Sequence, residues 1–206
     1  MSIFTVYEFS VSFIPIIITM VWFHFHCKRH NICISNAYYA ITAVLTVYIT
    51  AVLHFTSVGT IYDIFLYKFA ISKEQINLVP FSQSIDIKAY LLNILLFIPF
   101  GCLMPFIRRK KCSIANVLLN AFAFTFFIEI SQLFNNRRTD IDDIILNTLG
   151  AVIGFAMYHM FIKITKLRAD NKYMGNIELF VFIAIIFMSR FLLFNEIGIA
   201  KLIYKF

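Results

Sequence analysis

Six long apolar runs leave this chain little choice of environment. They cover about Phe9 to Phe25, Ala37 to Phe55, Ala89 to Ile107, Ile114 to Phe134, Ile144 to Ile164 and Ile177 to Phe194. Several reach the ~20 residues that a helix needs to cross ~30 Å of hydrocarbon at ~1.5 Å per residue. A transmembrane β-barrel would instead show segments of ~10 residues with alternating hydrophobicity, and these runs do not alternate. Composition agrees: 61% of the residues are hydrophobic and 14% charged, where a soluble domain carries roughly a quarter charged. The expected fold class is all-α, a polytopic transmembrane helical bundle of about six spans with a short outer interfacial segment before the third. Three regions follow: 1–76 with two spans and the interfacial segment, 77–165 with three, and 166–206 with a loop and the sixth.

Lys28 and Arg29 follow the first run, Arg108, Arg109, Lys110 and Lys111 the third, and Lys163, Lys166, Arg168 and Lys172 the fifth, ten of the eighteen basic residues in alternate loops. By the positive-inside rule these loops face the cytoplasm. The N-terminus, the 56–88 loop, the 135–143 loop and the C-terminus then face outward. No Lys or Arg precedes Lys28, so the first run reads as an uncleaved anchor rather than a signal peptide. The net charge of +7 is explained by this asymmetry and by anionic lipid contact, and no nucleic-acid partner is expected.

The first run ends in His24, His26, Cys27, His30 and Cys33. A metal site is geometrically conceivable there, but Lys28 and Arg29 would repel a cation among the ligands. We read an interfacial helix end and expect no metal and no cofactor. The segment around Asp63 and Lys68 reads as a short amphipathic helix on the outer surface. Pro80 makes the stretch from Asn77 to Phe81 a turn or extended piece that leads to the third span. That span holds Asn93, Pro99, Gly101 and Pro105, and each proline removes a backbone donor and can kink the helix. Arg190, near the outer end of the sixth span, is expected to snorkel to the surface.

The functional signal lies between Glu129 and Gly154. Glu129 follows the run AFAFTFFI, at a depth where an unpaired carboxylate is costly and marks function by default. Asp143, Asn147, Gly150 and Gly154 fall at i, i+4, i+7 and i+11, one helical stripe that is polar at its start and small at its end. Small residues let a partner backbone come close. Counted from the outer ends of their spans, Asn93, Glu129 and Asn147 share a depth of roughly 5–8 Å. Gln132 is one turn shallower, and Arg138, Asp140 and Asp143 form a charged rim. The expectation is a polar pocket open to the outer leaflet, bounded by three helices and roofed by the segment at Pro80.

From Asn77 to Gly154 the chain resembles the VanZ-like membrane proteins. Four pieces carry the resemblance in order: NLVPF at 77–81, NILLFIPFG at 93–101, EISQ at 129–132 and TDIDDIILNTLGAVIG at 139–154. The resemblance places motif positions on Asn77, Pro80, Phe81, Asn93, Pro99, Gly101, Glu129, Gln132, Asp140, Asp143, Asn147, Gly150 and Gly154. The arginine ahead of the D-x-x-D pair falls at Arg137 or Arg138, in a loop slightly shorter than the pattern. What the resemblance implies is a bacterial cytoplasmic-membrane protein associated with low-level resistance to the glycopeptide teicoplanin. Its expected partners are membrane lipids, with a lipid-linked peptidoglycan precursor or a lipoglycopeptide in the pocket. Two function classes stay open. One is a non-enzymatic binder, favoured because no nucleophile motif and no aspartate-rich diphosphate box occur. The other is a membrane-embedded enzyme acting on a polyprenyl-phosphate or other lipid, with Glu129, Asp140 and Asp143 as the candidate catalytic residues. A transporter is a third class, in which Pro99 and Gly101 would break the third span.

Overall fold

The computed structural model describes residues 3–29, 36–68, 72–82, 86–107, 112–165 and 176–204. Its elements are α1 (Ile3–Arg29), α2 (Asn36–Phe55), α3 (Ile61–Tyr67), β1 (Ile76–Asn77), α4 (Ile87–Ile107), α5 (Ile114–Gln132), β2 (Thr139–Asp140), α6 (Ile141–Thr165), α7 (Asn176–Leu193) and α8 (Glu196–Tyr204), with short 3-10 turns at Lys73–Gln75 and Leu133–Asn135. The chain is an all-α membrane protein. Among the described residues, four stretches are long and apolar enough to cross a bilayer: Val6–Arg29, Ile87–Phe106, Ile114–Asn135 and Ile141–Thr165. The second run yields a shorter apolar helix, Tyr39–Phe55. The sixth continues into α8 through a 42° bend and counts as a fifth crossing if the two are taken together. Asn195 makes that bend. Its side-chain oxygen accepts the Gly198 N–H at 2.7 Å, which caps a new helix and ends the old one.

Internal contacts divide the chain into two compact units, Met1–Phe69 with Ile177–Phe206, and Ala70–Asn176. In the first, Ile16, Leu45, Ile49, Val52, Leu53 and Ile186 are buried. Thr60 caps α3 through a capping box with Asp63, and Lys68 ends that helix in the left-handed region. Arg190 does not snorkel. It is 5% exposed and its Nε donates to the Glu8 carboxylate on α1 at 2.7 Å, while an Nη donates to the Val58 carbonyl. His54 at the end of α2 bonds the other Glu8 oxygen at 2.6 Å. A buried carboxylate on a neighbouring helix gives the guanidinium a partner inside, so it has no need of the surface.

In the second unit α4 runs unbroken through Pro99 and Pro105. It meets α6 at backbone distance. A Cβ on Gly101 would collide with the Ala151 carbonyl, one on Gly150 with the Ile94 carbonyl, and one on Gly154 with the Ile98 carbonyl. The small end of the 143–154 stripe is therefore spent on helix contact, as expected of small residues in membrane packing. On its other flank α4 meets α5 through Phe97, Phe100 and Phe124, whose rings lie 5.6–5.9 Å apart. These contacts set the height of each polar residue near the helix ends.

Candidate functional site

Three aspartates open α6. Asp140 is its N-cap, with a carboxylate oxygen accepting the Asp142 N–H at 3.0 Å, and Asp142 and Asp143 lie in the first turn. Acidic side chains are favoured here because the first N–H groups of a helix lack partners and the dipole is positive at this end. Together they tie the start of α6 to α5, to the segment before α4 and to α4 itself.

Asp140 binds the segment before α4. Asn77 donates its amide to both Asp140 oxygens at 3.1 and 3.2 Å, and the two residues are register partners in a parallel pair of two-residue strands. The Asp140 N–H donates to Glu129 Oε2 at 3.0 Å, and the Thr139 hydroxyl donates to the Glu129 carbonyl at 2.8 Å. Glu129 is 2% exposed, and a backbone amide from the next loop gives the carboxyl group that stands out in the sequence a buried partner.

Asp142 is buried and accepts two bonds, from the Phe81 N–H at 2.8 Å and from the Tyr90 hydroxyl at 2.6 Å. Phe81 has φ 54°, a left-handed conformation that a side chain adopts at a cost of about 1–2 kcal/mol. The same turn is gathered from within by Asn77, whose oxygen accepts the Val79 N–H at 3.2 Å and the Ser82 hydroxyl at 3.0 Å. The result is a fixed knuckle, Leu78 to Phe81, with Leu78 70% and Val79 63% exposed. Phe81 packs edge-on to Tyr90.

Asp143 accepts the Asn93 amide of α4. One turn further along α6, buried Asn147 donates to the Thr125 hydroxyl of α5 at 2.8 Å, and its own oxygen has no hydrogen-bond partner. Asn93, Glu129 and Asn147, which the sequence groups at one depth, thus take separate partners. Asn93 reaches Asp143, Glu129 reaches Asp140, and Asn147 reaches Thr125. Gln132 is buried at the end of α5, while Arg137 and Arg138 are exposed on the turn that follows. Among the motif positions, Pro80 and Phe81 form the knuckle, Gly101, Gly150 and Gly154 the α4–α6 contact, and Pro99 lies exposed on α4.

Sequence reading passes over Asp142, Tyr90, Thr125 and Thr139. A signal for two of them exists: Tyr90 precedes Asn93 by three residues and Thr125 precedes Glu129 by four, so each shares a helix face with a residue already singled out. Among the described residues, no three His, Cys, Asp or Glu side chains are gathered as a metal ion requires. The cluster is rich in acceptors. Each carboxylate has about four lone-pair sites and uses one to three here, so the chemistry left over suits hydroxyl, amide or ammonium donors.

A family model described as VanZ/LLP1 matches residues 39–163. Protein VanZ of Enterococcus faecium is 26% identical over 127 residues, which make up 60% of this chain and 73% of that protein. No solved structure matches the chain significantly.

Proposed function

The chain belongs to the VanZ/LLP1 family, and on that premise we propose that it binds a lipophilic envelope molecule at the outer face of the bacterial cytoplasmic membrane and contributes to teicoplanin resistance. In this reading the N-terminus and the 135–143 loop face outward, as the distribution of Lys and Arg suggests. The ligand is a lipid-linked wall precursor or a lipophilic glycopeptide. One observation carries the reading: an exposed apolar knuckle, Leu78 to Phe81, is pinned by Asp142 and Asn77 beside a wired cluster of carboxylates. Exposed apolar side chains held rigidly in place suit a partner with an acyl or prenyl chain, because little ordering entropy remains to be lost on binding. The acceptor-rich cluster next to them suits the hydroxyl, amide and amine groups that wall precursors and glycopeptides carry in abundance.

The test is expression in a teicoplanin-susceptible bacterium with parallel assays on purified protein. Wild type should raise the inhibitory concentration of teicoplanin more than that of a glycopeptide without an acyl chain, and purified protein should bind teicoplanin without altering its mass. Glu129→Gln keeps an oxygen for the Asp140 N–H, so it should accumulate and melt as wild type does while losing the resistance. Unchanged susceptibility with the protein present in the membrane would sink the proposal. A ligand whose mass changes on incubation would move the chain to the enzyme class, with Glu129 the first suspect.

A further inference from the structure

In the first unit, an open groove of about 520 Å³ runs along α1 beside the start of α2, lined by Ile17, Met20, Val21, His24, Phe25 and Tyr39. Its walls are apolar except at one end, where His24 Nδ1 and the Tyr39 hydroxyl lie 2.6 Å apart and tie the two helices together. Ile17, Val21, His24 and Lys28 follow at i, i+4, i+7 and i+11, so the stripe that lines the groove runs on into a lysine one turn beyond the polar pair. Arg29 is next in the chain, and both cations are exposed at the end of α1. Neither helix has an acidic residue beyond Glu8, so no carboxylate of α1 or α2 competes for these charges at this end. From Ile17 to Lys28 the stripe spans about 16 Å at 1.5 Å per residue, close to the thickness of one leaflet. Trp22, 63% exposed and stacked on His26, adds the aromatic side chain that favours the boundary between hydrocarbon and headgroup.

We propose that this groove is a specific site for an anionic phospholipid. An acyl chain lies along Ile17, Met20, Val21 and Phe25, and the phosphate sits at His24, Tyr39 and Lys28 with Arg29 beside it. The charge selects the occupant. A neutral chain would gain nothing from two exposed cations, and a second copy of this protein would bring the same positive charge to the same end. The groove belongs to the first unit and the aspartate cluster to the second, and the proposal does not depend on the cluster's function.

The experiment is native mass spectrometry of the delipidated full chain with phosphatidylglycerol or phosphatidylcholine in mixed micelles, with melting temperature alongside. Phosphatidylglycerol should remain bound at one equivalent and raise the melting temperature more than phosphatidylcholine does. Lys28→Gln and Arg29→Gln should each lower phosphatidylglycerol affinity about fivefold, as expected for a basic residue near a charged headgroup. Val21→Trp fills the groove from an exposed position and should abolish the retained lipid while the protein stays folded. Equal retention of both lipids, or Val21→Trp binding like wild type, would reduce the groove to ordinary lipid-facing surface. A dimer that Val21→Trp dissociates would give the groove to a second copy instead and overturn the proposal.

Discussion

Asp142 joins two things the sequence leaves apart, the backbone of the Phe81 knuckle and the hydroxyl of Tyr90 on α4. Its carboxylate is buried, and its removal takes the acceptor from two part-buried donors; a hydrogen bond contributes about 0.5–1.5 kcal/mol. Asp142→Ala should therefore destabilise the protein by at least that amount in a detergent melting or denaturant series. Asp142→Asn, which keeps an acceptor for Phe81, should cost less. Tyr90→Phe removes one of the same bonds, so the double variant Asp142→Ala with Tyr90→Phe should be less destabilised than the sum of the two singles, since the shared bond is lost only once. Strict additivity would mean that the hydroxyl and the carboxylate do not meet. The neighbouring pairs predict where coupling stops: Asn147 reaches Thr125 and not Asn93, so Asn147→Ala and Asn93→Ala should simply add. The same residues mark the limit of legibility in the sequence. Glu129 stands out because a carboxylate after seventeen uncharged residues is conspicuous, but Asp142 sits among Asp140 and Asp143 and looks like loop. Nothing local says which of three adjacent aspartates turns inward; that is decided by a tyrosine 52 residues away.

Among the helices, the contact between α4 and α6 sets the heights at which those residues meet. Gly101, Gly150 and Gly154 each face a carbonyl of the other helix where a methyl group would not fit, and overpacking of this kind costs about 1–3 kcal/mol. Gly150→Ala and Gly154→Ala should each lower the melting temperature, and because they push on consecutive turns of α4 the pair should also weaken the Asn93 to Asp143 contact above them. A Gly150→Ala protein that melts with wild type would show that α4 and α6 are not in backbone contact. The spacing of Asp143, Asn147, Gly150 and Gly154 makes the stripe readable, since helical periodicity is a local property. Which helix receives it is not local: Ile94 and Ile98 are recognised only by where their carbonyls fall once both helices are in place. The strand pair Asn77 with Asp140 escapes for the same reason, being two residues long on each side and separated by 63 positions. Arg190 was misplaced by a rule that considers one helix at a time, whereas its partner Glu8 lies 182 residues upstream.

For the molecule as a whole, the strand pair carries topological information that hydropathy does not. β1 lies beside β2, and the Gln75 side-chain amide donates to Asn136, so the 72–82 and 133–140 segments meet at one end of the second unit. α4 therefore starts, α5 ends and α6 starts at that end, and α4 ends and α5 starts at the other, whichever side of the membrane each faces. The proposed orientation takes its sign from the basic residues that follow α4 in the sequence, Arg108 to Lys111, which the positive-inside rule assigns to the cytoplasm. Two separable statements follow, and single cysteines in a cysteine-free background test both. Leu78→Cys and Asn136→Cys, both at exposed positions, should react equally with an impermeant maleimide on intact cells. Ser113→Cys, exposed at the start of α5, should react only after lysis. If positions 78 and 136 label differently, the strand pairing is wrong and the knuckle is not fixed to α6. If they label together but only after lysis, while position 113 labels on intact cells, the pairing stands and the orientation inverts, which would turn the aspartate cluster to the cytoplasm and remove the wall precursor's outer leaflet from the reading.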